Sequence, residues 1–128
     1  MAQILLIEPD RILTETYGRT LTAKGHRVMA CFTAQAAIQA ADKQRPDLVV
    51  LELQLVEHSG IEFLYEFRSY PEWQGIPVII QTTVPPSEFS DNWELLRGEL
   101  GVETYLYKPQ TTLQNLIDAI QEQLSVPA

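Results

Sequence analysis

Cysteine is nearly absent: the chain of 128 residues holds one, Cys31. An intrachain disulfide is excluded, and no thiol pair can hold a metal. Cys31 lies in the apolar-leaning run Val28–Phe32, where a lone cysteine reads as a small hydrophobe. Such usage fits a reducing compartment. Basic charge is scarce too. Nine Lys and Arg stand against 17 Asp and Glu, a net charge of −8. An acidic surface repels phosphate backbones and anionic lipid, so direct contact with nucleic acid or membrane is not expected. Long apolar runs are missing. No stretch approaches the ~20 residues of a membrane helix, and the N-terminal Met-Ala-Gln-Ile-Leu-Leu-Ile-Glu lacks the basic region of a signal peptide. A cytoplasmic location is expected. The two histidines, His26 and His58, lie in different turns. There is no metal-ligand His pair, no nucleophile elbow and no phosphate-binding loop. Enzymatic activity is therefore not expected.

What remains is ordinary globular material, 45% hydrophobic and 20% charged. The length suits one domain, expected over residues 1–125, with 126–128 a tail or the start of a linker. Strand and helix signals alternate five times. Short continuous apolar runs stand at Ile4–Ile7, Val28–Phe32, Leu48–Leu53, Val78–Ile80 and Val102–Tyr107. Runs of this kind predict strands covered on both faces, as in a parallel sheet. Between them, helices are predicted over Arg11–Lys24 with Gly25 as the stop, Thr33–Gln44 with Thr33 as N-cap, Ser59–Arg68, Trp93–Leu100 and Thr111–Leu124. Ser59-Gly-Ile-Glu62 and Thr111-Thr-Leu-Gln114 read as capping boxes. Leu113, Leu116, Ile117, Ile120 and Leu124 repeat at helical spacing.

Alternating βα units imply an α/β fold with right-handed crossovers and helices on both faces. In such folds functional residues gather beyond the carboxyl ends of the strands. Glu8, Pro9 and Asp10 follow the first strand. Glu52 interrupts the third, and Gln54 follows it. Thr82 ends the fourth and Lys108 the fifth. A carboxylate within an apolar strand is costly unless it is paired or reaches solvent, and Lys108 is the available counter-charge. Acids, a lysine and a hydroxyl on one rim are groups that can hold a divalent cation or a phosphoryl group. Asp10 is equally a candidate N-cap of the first helix.

Four fragments in order, "QILLIEPDRIL", "PDLVVLELQLVEHSGIEFLYEFR", "IPVIIQTT" and "ETYLYKP", resemble the receiver domain of two-component response regulators along the whole chain. The resemblance implies a flavodoxin-like (CheY-like) doubly wound five-stranded parallel sheet of order 2-1-3-4-5 with five helices. It implies that Lys108 and Thr82 are the phosphoryl-contacting pair, and that Tyr105 is the aromatic switch. Glu8 matches an acid of the metal pocket, and Gln54 the position that offers a backbone carbonyl to the metal. Pro109 matches a proline joined to the lysine by a cis bond. It also implies a protein partner, a sensor kinase or an output domain, and in many members homodimerisation through the fourth helix, fifth strand and fifth helix.

Two positions depart from the family pattern. Glu52 stands where the family carries its phospho-accepting aspartate, and Pro9 where it carries a metal-binding aspartate. The segment "TVPPSEFSDNW" is about four residues longer than usual, roughly one helical turn. Its Phe89 and Trp93 are readable as a partner patch or as core. The leading expectation is a pseudo-receiver, a phosphorylation-independent interaction module with Glu52 paired to Lys108 and reaching toward Thr82. No cofactor is expected of it. One alternative keeps Mg²⁺ on Glu8, Asp10, Glu52 and the Gln54 carbonyl, with phosphate accepted on another side chain. Another is a flavodoxin-like nucleotide or flavin binder. The acidic, proline-containing loop Glu8-Pro9-Asp10 disfavours that one.

Overall fold

The computed structural model describes residues 2–125, so the expected tail, 126–128, lies outside the described residues. Five strands, β1 (Gln3–Ile7), β2 (Arg27–Cys31), β3 (Leu48–Leu51), β4 (Val78–Thr82) and β5 (Val102–Tyr107), form one sheet of order β2-β1-β3-β4-β5. Every pairing is parallel. The four α-helices are α1 (Arg11–Ala23), α2 (Ala34–Lys43), α3 (Gly60–Ser69) and α4 (Leu113–Ser125), and a π-helical turn, Leu95–Glu99, takes the place of a fifth.

The continuous apolar runs mark the inner strands. Val49 and Leu51 of β3 pack on one side of the sheet with Phe63 and Phe67 of α3. Leu48 and Val50 pack on the other with Tyr17 and Leu21 of α1 and Leu116 of α4. Alternate residues of a strand feed opposite layers, so β3, Ile4–Ile7 of β1 and Val78–Ile80 of β4 are apolar at every position. The edge strand β2 is partly exposed, which explains its weaker sequence signal.

Local sequence sets the ends. Asp10 caps α1 by accepting from the Ile12 and Leu13 N–H groups, and Thr33 caps α2 through Ala36 N–H. Ser59 and Glu62 form the expected capping box. The second box sits one residue later than expected. Thr112 and Asn115 exchange the two bonds, and the Thr111 hydroxyl donates to the Tyr107 carbonyl instead. Glu52 and Leu53 lie just past β3 rather than within it. The Glu52 N–H still bonds Ile7 O, but the Leu53 carbonyl turns to accept from Gly60 N–H. That approach is so close that a side chain at Gly60 would meet the Glu52 carbonyl oxygen at 2.8 Å.

The helix expected over Trp93–Leu100 is short and runs into a π-helical turn, Leu95–Glu99. Pro86–Phe89 forms a 3₁₀ turn, and Leu100 N–H then reaches back five residues to Leu95 O. The wide turn buries Leu96 and Leu100 together. Arg68, buried beneath it, donates to the carbonyls of Leu100, Trp73, Gln74 and Gly101. Phe89 and Trp93 are half-buried against the core, each with its ring centroid 6.0 Å from that of Tyr105.

One expectation fails outright. There is no cis peptide among the described residues, so Lys108–Pro109 is trans. An X–Pro bond prefers trans only weakly, so its surroundings decide. Here Pro109 sits in a 3₁₀ turn, Lys108–Gln110, whose Lys108 carbonyl accepts from Thr111 N–H. Trans geometry suits that turn.

Candidate functional site: a lysine between two glutamates

The carboxyl ends of β1, β3, β4 and β5 bring Glu8, Glu52, Thr82 and Lys108 together. Lys108 Nζ donates to Glu8 Oε1 at 2.5 Å and to Glu52 Oε1 at 2.8 Å. Both carboxylate side chains are 4% exposed and that of Lys108 13%. Glu52 Oε2 accepts from the Thr82 hydroxyl in a short contact, and from Gln54 N–H at 3.1 Å. Glu8 Oε2 accepts from Asp10 N–H at 3.1 Å. All four carboxylate oxygens are thus engaged.

Burial alone would pull Lys108 down. Hydrogen bonds and charge from Glu52 and Glu8 outweigh it and hold the ammonium above the usual lysine range. Glu8 moves up instead. Its burial outweighs the help of Lys108 and Asp10 N–H, and the Glu52 charge adds to the rise. One cation serves two carboxylates.

Thr82 continues the network outward. Its Oγ1 accepts from Val84 N–H at 3.1 Å, and Val84 O accepts from the Tyr105 hydroxyl at 2.6 Å. Burial, with the charges of Glu52 and Glu88, pushes Tyr105 up to about 12. Tyr105 therefore stays a hydroxyl donor at neutral pH. Pro9 contributes no metal-binding side chain. Asp10 and Gln54 lie at the rim but outside the triad. Asp10 Oδ1 is occupied at the start of α1, and the Gln54 amide oxygen accepts from Thr83 Oγ1 at 2.9 Å.

The two carboxylates that a divalent cation would bridge, Glu8 and Glu52, are both paired with the Lys108 ammonium. Among the described residues no group of three or more His, Cys, Asp or Glu side chains could hold a metal. No helix of the described residues is long and apolar enough to cross a membrane.

The sequence reading missed one polar feature. Gln81, next to Thr82, is 3% exposed and donates to the Tyr17 hydroxyl at 3.1 Å. The available signal was an amide directly following the apolar run Val78–Ile80.

A doubly wound parallel sheet with acids, a hydroxyl and a lysine on its carboxyl rim defines the class: a flavodoxin-like signalling domain. Comparison with known proteins is specific. The response regulator receiver domain family matches residues 4–121, and the chain belongs to that family. It is 32% identical over 109 residues to the KDP operon transcriptional regulatory protein KdpE of Escherichia coli (strain K12), covering 85% of this chain and 45% of that one. The chain thus spans about half the length of such relatives. Against the polar-differentiation response regulator DivK of Brucella anthropi, the match is 26% identical over 94% of each chain. The non-phosphorylated HemR receiver domain of Leptospira biflexa superposes with a TM-score of 0.85 at 24% identity, covering 100% of this chain and 98% of that one. The BeF3-activated N-terminal receiver domain of Klebsiella pneumoniae RstA gives 0.79 at 23% identity, covering 97% and 99%.

Proposed function

We propose that this receiver domain works without aspartyl phosphorylation, as a cytoplasmic protein-interaction module with no catalysis of its own and no bound Mg²⁺. The observation that carries this reading is the Glu52 carboxylate. It already holds the partners a phosphoryl group would seek, the Lys108 ammonium and the Thr82 hydroxyl. A carboxylate carries less charge and fewer acceptor oxygens than a phosphoryl group, but here it needs no donor and is never hydrolysed. Through Thr82 and Val84 it is tied to Tyr105. The module is therefore held in one state. Its partner is a protein: a sensor kinase, an output domain or another signalling component. Self-association through the segment Trp93–Leu100, β5 and α4 belongs to the same proposal, and sedimentation of the purified chain tests it.

The decisive experiment is intact-mass spectrometry after incubation with Mg²⁺ and a small acyl phosphate. The wild type is expected to gain no phosphate adduct, and the double variant Glu52→Asp with Pro9→Asp to gain one. An adduct on the wild type overturns the reading.

A further inference from the structure

Buried polar groups are almost always paired, and Gln81 is an exception. Its Oε1 is buried without a hydrogen-bond partner among the described residues. The Tyr17 hydroxyl, itself buried, accepts from Gln81 Nε2, but no described group accepts the hydroxyl's own proton. Exchanging the amide's oxygen and nitrogen does not remove the problem. Tyr17 would then donate to Oε1, and Nε2 would be left without an acceptor. In either orientation this pair keeps at least one spare donor and one spare acceptor, and an unmade buried hydrogen bond is costly.

A third group with a donor to spare lies close along the chain. Gln81 stands opposite Leu106 in the β4–β5 register, and Lys108 opens the 3₁₀ turn two residues past Leu106. An ammonium has three donors. Glu8 and Glu52 take two of them. Burial raises the Tyr17 hydroxyl above the usual tyrosine range, and the Lys108 charge offsets part of that rise.

We infer that Gln81 and Tyr17 form an internal binding site for one small, neutral, hydrogen-bonding molecule, a water, seated beneath the glutamate–lysine triad. The site asks its ligand to accept from a hydroxyl and donate to an amide oxygen at once. A cation meets the repulsion of Lys108, and an anion that of Glu8 and Glu52. Water answers both demands and has capacity left to accept the third Lys108 proton. Gln81 and Tyr17 are then positioning residues. They link the charge of the triad to α1, which carries Tyr17, through contacts separate from the path through Thr82 and Tyr105. This inference does not depend on whether the domain accepts phosphate.

A high-resolution crystal structure of the full chain, with water-to-protein cross-relaxation by NMR, tests the site. The expected result is an ordered, long-lived water within hydrogen-bond distance of both Gln81 and Tyr17. A dry site, or a Gln81 rotamer that pairs both amide atoms with protein groups, overturns it. The link to α1 has its own test. Glu52→Gln should shift the α1 amide resonances around Tyr17 in an otherwise wild-type chain. That response should be lost in Gln81→Leu or, should that variant fold poorly, in Gln81→Met, whose side chain is unbranched. An undiminished α1 response in a folded Gln81 variant shows that the link runs elsewhere and sinks the positioning role.

Discussion

Two neighbouring regions of this domain are built on opposite terms. The rim at the ends of β1, β3, β4 and β5 is buried and ionic, and every carboxylate oxygen of its triad is paired. The connection from Val84 to Leu100 is partly exposed and irregular, with a 3₁₀ turn and a π-helical turn. It is held by Phe89 and Trp93 on Tyr105 and by buried Leu96 and Leu100. The rim is rigid because its residues hang on strands whose register is already set by parallel ladders. The connection has no ladder and few long-range hydrogen bonds, so it should open at lower cost. The two meet at Val84, whose N–H faces Thr82 and whose carbonyl faces Tyr105.

The strongest blow to the rim is Lys108→Met. It leaves two buried carboxylates side by side without a cation, and removing one partner of a buried ion pair costs about 3–5 kcal/mol. Urea unfolding at neutral pH should show that loss. Acidification should recover part of it, because protonating one carboxylate relieves the repulsion. A cost below about 1 kcal/mol, the value of a surface pair, would mean that the rim is effectively solvated.

Glu52→Gln is milder, about 1–3 kcal/mol, since Lys108 keeps Glu8 while buried hydrogen bonds are weakened. It also carries a pH signature. The folded-state value of Lys108 lies above its ordinary 10.5. Its contribution is therefore whole below pH 10.5 and lost as pH rises through the folded value. Glu52 is the leading group that raises it, so the variant should lose this stability at lower pH than the wild type. Superimposable alkaline limbs in urea titrations would show that Glu52 does not hold the lysine.

The rim was legible in the sequence and the connection was not, for physical reasons. Glu8, Glu52, Thr82 and Lys108 each end a short apolar run, and a parallel sheet brings such ends together whatever lies between. Their pairing follows from charge. The capping residues Asp10, Thr33 and Ser59 were legible because a cap is a local bond. The segment 84–101 offered a helical stripe, Trp93, Leu96 and Leu100, but its backbone is decided by burial against Tyr105 and Arg68, which lie outside the segment. The trans bond before Pro109 was misjudged because the small cis–trans difference yields to the turn around it. Gln81 and Tyr17 were invisible as a pair because they touch across 64 positions.

In the connection the sharpest single change is Gly101→Ala. Gly101 has φ +63°, and an added Cβ would meet Arg68 Nη2 at 2.8 Å. A residue held in the left-handed region costs of order 1–3 kcal/mol. The loss should appear as faster amide exchange across 95–103, with the rim unchanged.

The smallest expected effect tests whether the two regions are independent. Pro86 is exposed and opens the 3₁₀ turn, so Pro86→Ala acts mainly by loosening the unfolded chain, by about 0.4–1 kcal/mol. Combined with Glu52→Gln, the two costs should add within about 0.5 kcal/mol if the rim and the connection are separate structures. An excess beyond that measures what the Thr82–Val84–Tyr105 contacts transmit. A receiver that signals through this connection needs such coupling, because a triad with no energetic reach past Val84 would fix its own geometry and inform no partner. The double-variant cycle therefore measures whether the pairing at Glu52 extends to the surface a partner would read.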